Sequence, residues 1–374
     1  MAQVLSAFGV FAVGFLMRPV GGALIGRIAD RFERRAALTF SVMAMAIPTF
    51  LVGALPGYQT LGVMAPILLV LLRMAQGLSI GGEYTTSIVF MVEHAPPGRR
   101  GVVGALAGCG TSSGILLGAA TATAINTMMS PEALAEWGWR IPFLLGLVVG
   151  LVGFVLRRNV PEAPRKAIAA RPSLIETVRD HGALVAWLAG LSVFKAVGFY
   201  LMFLYIVSWL QFADGIAPSH ALAINTVSMA ALILVTFCMG WLSDRIGRKP
   251  LLLAATAIAF IGGLPLFWLM HHSDPVLILV GQMGFVLAVG MSLGVQPATM
   301  VEVTPLAGRC TVVALGYNVT YGIIGGFTPL VATWLVQRTE NDLSPALMIV
   351  GAAAISFLVL LRYKETYKAK LDIA

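Results

Sequence analysis

Charged residues are scarce in this chain, and their scarcity limits the class of protein it can be. Only 11% of the 374 residues are Asp, Glu, Lys or Arg, less than half the share in an average globular domain. Cysteine is scarcer still, and Cys109, Cys238 and Cys310 form no CxxC pair, so we interpret them as packing residues. The sequence has no Walker motif and no nucleophile–base set, which argues against an ATP-driven pump and an enzyme. No cofactor and no metal site is predicted.

Long apolar stretches occupy most of the chain. Hydrophobic residues make up 58% of it, and the mean hydropathy is +0.88. The stretches are about 20 residues long, which is the length an α-helix needs to cross the hydrocarbon of a bilayer. Only helices and closed barrels satisfy their backbone groups in lipid, and continuous apolar runs favour helices, so we predict an all-α polytopic membrane protein. The predicted spans are 4–26, 37–55, 64–92, 102–125, 139–156, 183–211, 221–242, 251–270, 275–300, 312–336 and 345–361.

Basic residues are distributed unequally between the two sides that these spans define. Twenty of the 25 Lys and Arg residues fall on the side of the loop at 27–35, and only Arg338 falls on the other. By the positive-inside rule, the loop at 27–35 and the C-terminus are predicted to be cytoplasmic. The net charge of +8 then follows from topology, and nucleic acid is not an expected partner.

Two pairs of motifs recur in the two halves of the chain. "GRIADRFERR" begins at residue 26 and "GWLSDRIGRK" at residue 240, while "MVEHAPPGRR" begins at Met91 and "MVEVTPLAGR" at Met300. Matching motifs at matching places predict a duplicated bundle. We expect an N-terminal bundle at 1–156, a cytoplasmic linker at 157–182, a C-terminal bundle at 183–363 and a cytoplasmic tail at 364–374.

The chain resembles the major facilitator superfamily and, within it, the metabolite:proton symporter family, which includes carriers of proline/betaine, citrate, 2-oxoglutarate and shikimate. The resemblance implies two pseudo-symmetric helix bundles in the bacterial inner membrane and transport by alternating access. It implies a proton-coupled symporter that imports a small carboxylate or zwitterion, with that substrate, protons and the lipid bilayer as partners. We expect the protein to be a monomer. Besides the Asp-Arg loops, its motifs are "RPVGG" (18–22), "RMAQGLSIGGEY" (73–84), "EHAPPGRRG" (93–101), "GWRIPF" (138–143), "PEAPR" (161–165) and "GFTPLVATWL" (326–335).

Two other interpretations stay open. One is a sugar or drug transporter of the same superfamily, although the span at 183–211 lacks the glutamine-rich motif of sugar porters. The other is a truncated, non-transporting relative, since the resemblance implies 12 spans and the first of them is not among the eleven predicted here. Glu33 also stands where the loop motif usually has glycine, although Gly247 keeps it in the second copy.

Charged residues at the Asp-Arg loops are predicted to form an inner gate. Such residues can pair across the interface of the bundles in one conformation and separate in the other. Each pair contributes about 0.2–1 kcal/mol when exposed to water. A positive-inside loop without a gate would explain the arginines but not the repeated Asp-Arg placement. By resemblance, the first cluster is Asp30, Arg31, Arg34 and Arg35 with Glu93, and the second is Asp244, Arg245, Arg248 and Lys249 with Glu302 and Arg309.

Charged residues inside the spans are predicted to serve the substrate and the proton. An Arg or Lys at a helix centre costs about 2.5–3.5 kcal/mol, so it needs a partner or a wet cavity. We predict that Arg73 or Lys195 binds the substrate carboxylate and that Glu83 takes part in proton coupling. A structural ion pair of Glu83 with Arg18 or Arg73 is the alternative. The full set of substrate and coupling candidates is Arg18, Arg73, Gln76, Glu83, Lys195, Tyr200, Asn318 and Tyr321.

Overall fold

Eleven long apolar helices form the structure, a computed structural model that describes residues 9, 10, 12–32, 34–158 and 173–371. Within these ranges there is no strand, which confirms the predicted all-α membrane class, and the helices match the predicted spans in number and order. They are α1 (Ala12–Arg31), α2 (Arg34–Ala54), α3 (Met64–Glu93), α4 (Arg100–Met128), α5 (Gly138–Arg158), α6 (Leu174–Ala213), α7 (Pro218–Ile246), α8 (Arg248–Met270), α9 (Pro275–Glu302), α10 (Arg309–Thr339) and α11 (Ser344–Leu361).

The helix ends follow local sequence signals. The carboxylate of Asp274 accepts the amide of Val276 at 2.9 Å, directly before Pro275 opens α9. At the sharp turn between α7 and α8, Gly247 adopts a φ of 105°, in the region that favours glycine. Its counterpart in the first motif, Glu33, lies outside the described residues.

Helix α6 begins earlier than predicted. Ser173 and Glu176 form a reciprocal capping box there, so the helix starts at Leu174 instead of residue 183. Both ends of the predicted linker are therefore helical, because α5 also continues to Arg158. Residues 159–172, with the motif "PEAPR", lie outside the described ranges.

The helices of the two halves pack against each other along two main seams. Helix α1 packs on α10, and α4 packs on α7 and α9. Helix α6 is the most buried of the eleven helices. In its apolar 18-residue stretch 78% of the residues are buried, whereas in the corresponding stretch of α5 only 6% are buried. The surface of α5 therefore faces outward, where the lipid would lie.

Helices α1 and α3 cross with their backbones almost in contact. A Cβ atom at Gly77 would overlap the carbonyl oxygen of Gly14, and one at Gly81 would overlap that of Arg18. Small residues allow this approach in membrane bundles. The crossing brings the middle of α1 beside the middle of α3, and both helices contribute arginines to the site described next.

Candidate functional site

A cavity of about 610 Å³ lies between the two halves. Its wall comes from α1, α2, α3 and α4 of the first half and from α6, α7, α9 and α10 of the second. The size falls in the range of sites that enclose small molecules, and a mostly apolar wall with a few polar groups is typical of such sites.

Arg18 is a polar anchor of this wall and is almost fully buried. Its Nη1 donates a hydrogen bond to the hydroxyl of Tyr200 at 3.2 Å, which ties α1 to α6. Its guanidinium carbon lies 4.8 Å from the ring centre of Phe15 and 5.5 Å from that of Tyr321. Nε has no hydrogen-bond partner in the described part of the chain. The group therefore keeps donor capacity for a ligand.

Arg73 is the second guanidinium on the wall and belongs to a short polar chain. Its Nη1 donates to Oε1 of Gln76 at 3.1 Å, and Nε2 of Gln76 donates to Oγ1 of Thr49 at 2.8 Å. Gln76 also lines the cavity. The amide thus orients Arg73 and links α3 to α2.

Lys195 is fully buried but does not reach the cavity wall. Its Nζ lies 4.9 Å from the ring centre of Tyr317 and 5.5 Å from that of Tyr321. These two rings stack at 4.0 Å and face the cavity, so they separate the amine from it. In the described ranges Lys195 Nζ has no hydrogen-bond partner, and none of Arg18, Arg73 and Lys195 forms an ion pair.

Glu83 and Asn318 lie outside the cavity. Glu83 accepts a hydrogen bond from Arg157 Nη2 at 2.8 Å, so its ion-pair partner is neither Arg18 nor Arg73, the two partners named in the alternative interpretation of the sequence. Asn318 is buried between helices, and its Nδ2 donates to the carbonyl oxygens of Gly81 and Ala314. In this conformation both side chains connect helices.

Asp30, at the end of α1, caps the N-terminus of α10, which belongs to the other half. Its carboxylate accepts the backbone amides of Cys310 at 3.0 Å and Thr311 at 2.8 Å, and the hydroxyl of Thr311 at 2.6 Å. A helix N-terminus presents unpaired amides and partial positive charge, so a carboxylate is stabilised there. Glu93 adds a second link, because it pairs with Arg34 of its own half and with Arg309 at 2.7 Å.

Asp244, at the end of α7, makes the equivalent contact in the opposite direction. It accepts the amides of Gly101 at 2.7 Å and Val102 at 2.9 Å, at the start of α4. Arg248 lies 2.8 Å from Asp244 and 3.0 Å from Glu302. The two clusters are thus related by the sequence repeat, and they join the halves at one end of the bundle, here called the motif end.

Four predicted gate residues have other surroundings. Arg245 stacks on Trp241 at 3.7 Å, and Lys249 donates through Nζ to the carbonyl oxygens of Leu361 and Tyr363. Arg35 lines a small pocket beside Arg157. Arg31 is exposed.

A model of the Major Facilitator Superfamily matches residues 2–327 of the chain. The chain belongs to this superfamily. It is 34% identical to the glycine betaine/proline/ectoine/pipecolic acid transporter OusA of Dickeya dadantii (97% of this chain, 75% of that protein). It is 31% identical to the proline/betaine transporter of Escherichia coli K12 (97% and 76%). The proton:xylose symporter XylE, bound to 6-bromo-6-deoxy-D-glucose, has the same fold, with a TM-score of 0.80 at 20% identity (99% and 89%). The chain is therefore a multi-pass membrane transporter and not an enzyme.

The described part of the segment after α11 packs on the second charge cluster of this transporter. Glu365 accepts the backbone amides of Arg248 and Lys249 at 3.0 and 2.8 Å, and Thr366 donates to Glu302 at 2.8 Å. Burial raises the pKa of Glu365, but the backbone amides that it accepts outweigh this effect, so its pKa lies below its ordinary value. The charged carboxylate therefore holds the tail on the second charge cluster.

The sequence interpretation missed most of the aromatic wall. Phe15, Tyr84, Phe199 and Tyr317 line the cavity beside the predicted Tyr200 and Tyr321. Tyr317 had a usable signal, because it precedes Tyr321 by four residues and so shares its helix face. The others follow from how the helices cross, which no local pattern encodes.

Proposed function

We propose that this transporter is a proton-coupled symporter that imports a small carboxylate or zwitterion of the organic-acid or proline/betaine type. The observation that carries the proposal is the pair of arginines on the cavity wall, Arg18 and Arg73, without a carboxylate partner among the described residues. Hydrogen bonds between ionised groups contribute about 1.5–3 kcal/mol each, so a substrate carboxylate here would gain most of its affinity from them.

The aromatic part of the wall suits the other end of such a substrate. Phe199 and Phe203 line the cavity, with ring centres 5.6 Å apart, and Phe15 and Tyr200 meet edge to face at 5.3 Å. Aromatic faces attract quaternary ammonium groups by about 0.5–2 kcal/mol and also accept apolar carbon. A zwitterion such as betaine would place its carboxylate on the arginines and its cationic end on these rings. The relatives' names support this class.

The charge clusters support alternating access. Both link the halves at the motif end, where the tail also lies, and the cavity lies away from that end. With the motif end cytoplasmic, as the distribution of basic residues favours, the structure represents a state closed toward the cytoplasm. We propose that 1–156 and 183–363 act as the two moving bundles of a monomer in a bacterial inner membrane, with the C-terminus cytoplasmic.

Glu83 is our candidate for proton coupling. It lies well inside α3, and its ion pair with Arg157 is only partly exposed, at 23% and 28% of the side chains. Protonation would break this pair between α3 and α5, which gives a proton a means to change helix packing. Arg73 is the preferred carboxylate ligand over Lys195, because only Arg73 reaches the wall.

The test is uptake by the purified chain in liposomes. Labelled betaine, proline, 2-oxoglutarate and xylose are compared with and without an acidic exterior. We expect accumulation of at least one carboxylate or zwitterion that depends on the gradient and is abolished by a protonophore, and no accumulation of xylose. Accumulation of xylose alone would replace the proposal by the sugar-carrier alternative. Absence of any uptake, from a chain shown to be folded, would favour the non-transporting alternative.

A further inference from the structure

A second, smaller pocket lies at the motif end of the first half, outside the transport cavity. It has a volume of about 170 Å³ and is lined by Arg35, Leu38, Ser87, Phe90, Met91 and Arg157. One water occupies about 30 Å³ in the liquid, so the pocket holds a group of several heavy atoms. Two guanidinium groups and one hydroxyl provide its polar chemistry.

The pocket lies where three helix ends meet. Arg35 is in the first turn of α2, Met91 in the last turn of α3 and Arg157 in the last turn of α5. The apolar helices begin or end at these turns, so we place the pocket at the membrane boundary. In the orientation proposed above, this is the level of the headgroups of the inner leaflet.

Arg157 is held in place without using all its donors. Nη2 donates to Glu83 at 2.8 Å and Nη1 donates to the carbonyl oxygen of Leu38 at 2.9 Å. A guanidinium has five N–H donors, so others remain for a ligand in the pocket. Arg35 lines the same pocket and gives it a second guanidinium.

The surface next to the pocket is apolar and exposed. On α5 the side chains of Val152, Val155 and Leu156 are 54%, 57% and 67% exposed, and on α2 that of Phe40 is 57% exposed. A soluble anion gains nothing from such a surface, whereas acyl chains would cover it. Basic pockets between membrane helices on the cytoplasmic side are suited to anionic lipid headgroups.

We propose that this pocket binds the phosphate of an anionic phospholipid, with Arg35 and Arg157 as its ligands. The lipid would bridge α2 and α5. Because Arg34, the residue before Arg35, pairs with Glu93 in the gate, the bound headgroup would also fix the end of α2 in the gate-closed arrangement. The proposal uses the proposed membrane orientation but does not depend on the transport substrate.

The test is native mass spectrometry of the detergent-purified chain with phosphatidylglycerol or phosphatidylcholine. We expect retention of one phosphatidylglycerol under conditions that remove phosphatidylcholine. In Arg35→Gln this retention should fall at least tenfold. Arg158→Gln should not change it, since Arg158 is an exposed neighbour on α5 outside the pocket. Arg35→Lys, which keeps the charge, should retain the lipid better than Arg35→Gln and shows that the site tolerates substitution.

Two outcomes would overturn the proposal. Equal retention of phosphatidylglycerol in wild type and Arg35→Gln would place the lipid elsewhere. Displacement of phosphatidylglycerol by millimolar inorganic phosphate or glycerol 3-phosphate would show that the pocket recognises the soluble anion and not the lipid. Neither outcome bears on uptake of the transport substrate, so the two proposals fail separately.

Discussion

The carboxylate of Asp30 accepts the backbone amide of Thr311 at 2.8 Å, across the interface between the two halves of the transporter. Asp244 repeats the contact in reverse on Gly101. The aspartate of each Asp-Arg loop therefore caps the first turn of a helix in the opposite half. This reciprocal capping explains why an apolar chain concentrates charge at these two places: the loops hold the halves together at one end.

Asp30→Asn should loosen the gate at this end. Loss of a charged cap costs about 1 kcal/mol, which raises the population of the open gate about fivefold. The buried thiol of Cys310, at the capped turn, is a natural reporter. In a Cys109→Ala/Cys238→Ala background, its maleimide labelling rate should rise about fivefold. Asp180→Asn, at an exposed acid, is the control, and equal rates in Asp30→Asn and this control would remove Asp30 from the gate.

Arg73→Gln should raise the KM for the substrate about ten- to hundredfold, because one or more charge-assisted hydrogen bonds of about 1.5–3 kcal/mol are lost. Arg18→Gln should have an effect of similar size, with a further loss from the freed hydroxyl of Tyr200. Uptake kinetics at a fixed pH gradient measure the change. Arg338→Gln, at the far end of α10, should leave KM unchanged. A wild-type KM in Arg73→Gln would show that the carboxylate binds elsewhere.

Glu83→Gln separates the coupling role from the structural one. If Glu83 carries the proton, the variant should lose accumulation driven by a pH gradient but keep exchange of labelled for unlabelled substrate, which needs no net proton movement. Both activities are measured on the same liposomes. Full gradient-driven accumulation in the variant would assign Glu83 to its ion pair with Arg157 alone.

The tail should detach from the gate in acid. Because the pKa of folded Glu365 lies below its ordinary value, its carboxylate stabilises the docked tail fully above the ordinary value, and this is lost as the pH falls through the folded value. Hydrogen exchange at the amides of Arg248 and Lys249, corrected for intrinsic rates, should accelerate in acid. Glu365→Gln should accelerate it already at neutral pH. Identical protection in this variant and wild type would show that other contacts hold the tail.

The sequence predicted the large features of this transporter because they rest on composition and repetition. Apolar runs locate the spans, and the repeated Asp-Arg motifs locate the two clusters. Individual contacts could not be predicted from the sequence in the same way. Lys195 and Arg73 look equivalent in the sequence, because both are cations within spans. In the structure the stacked rings of Tyr317 and Tyr321 separate only Lys195 from the cavity.

Backbone irregularities escaped prediction for a similar reason. Helix α6 contains a π-helical turn at Leu201–Tyr205, and α10 contains one at Thr320–Gly325. These turns lie beside Tyr200 and Tyr321 on the cavity wall. Such turns are rare and cluster at functional sites, and tertiary packing decides where they form, so helical periodicity does not reveal them.

The most direct test of the symporter account is the proton movement that the substrate itself causes. Liposomes containing the purified chain and a trapped pH-sensitive dye start at equal pH inside and outside, with the membrane potential clamped. Addition of the transported carboxylate or zwitterion outside should acidify the lumen, and Arg73→Gln, with its raised KM, should give a much smaller change at a substrate concentration near the wild-type KM. Entry of labelled substrate without any change of internal pH would contradict proton-coupled symport.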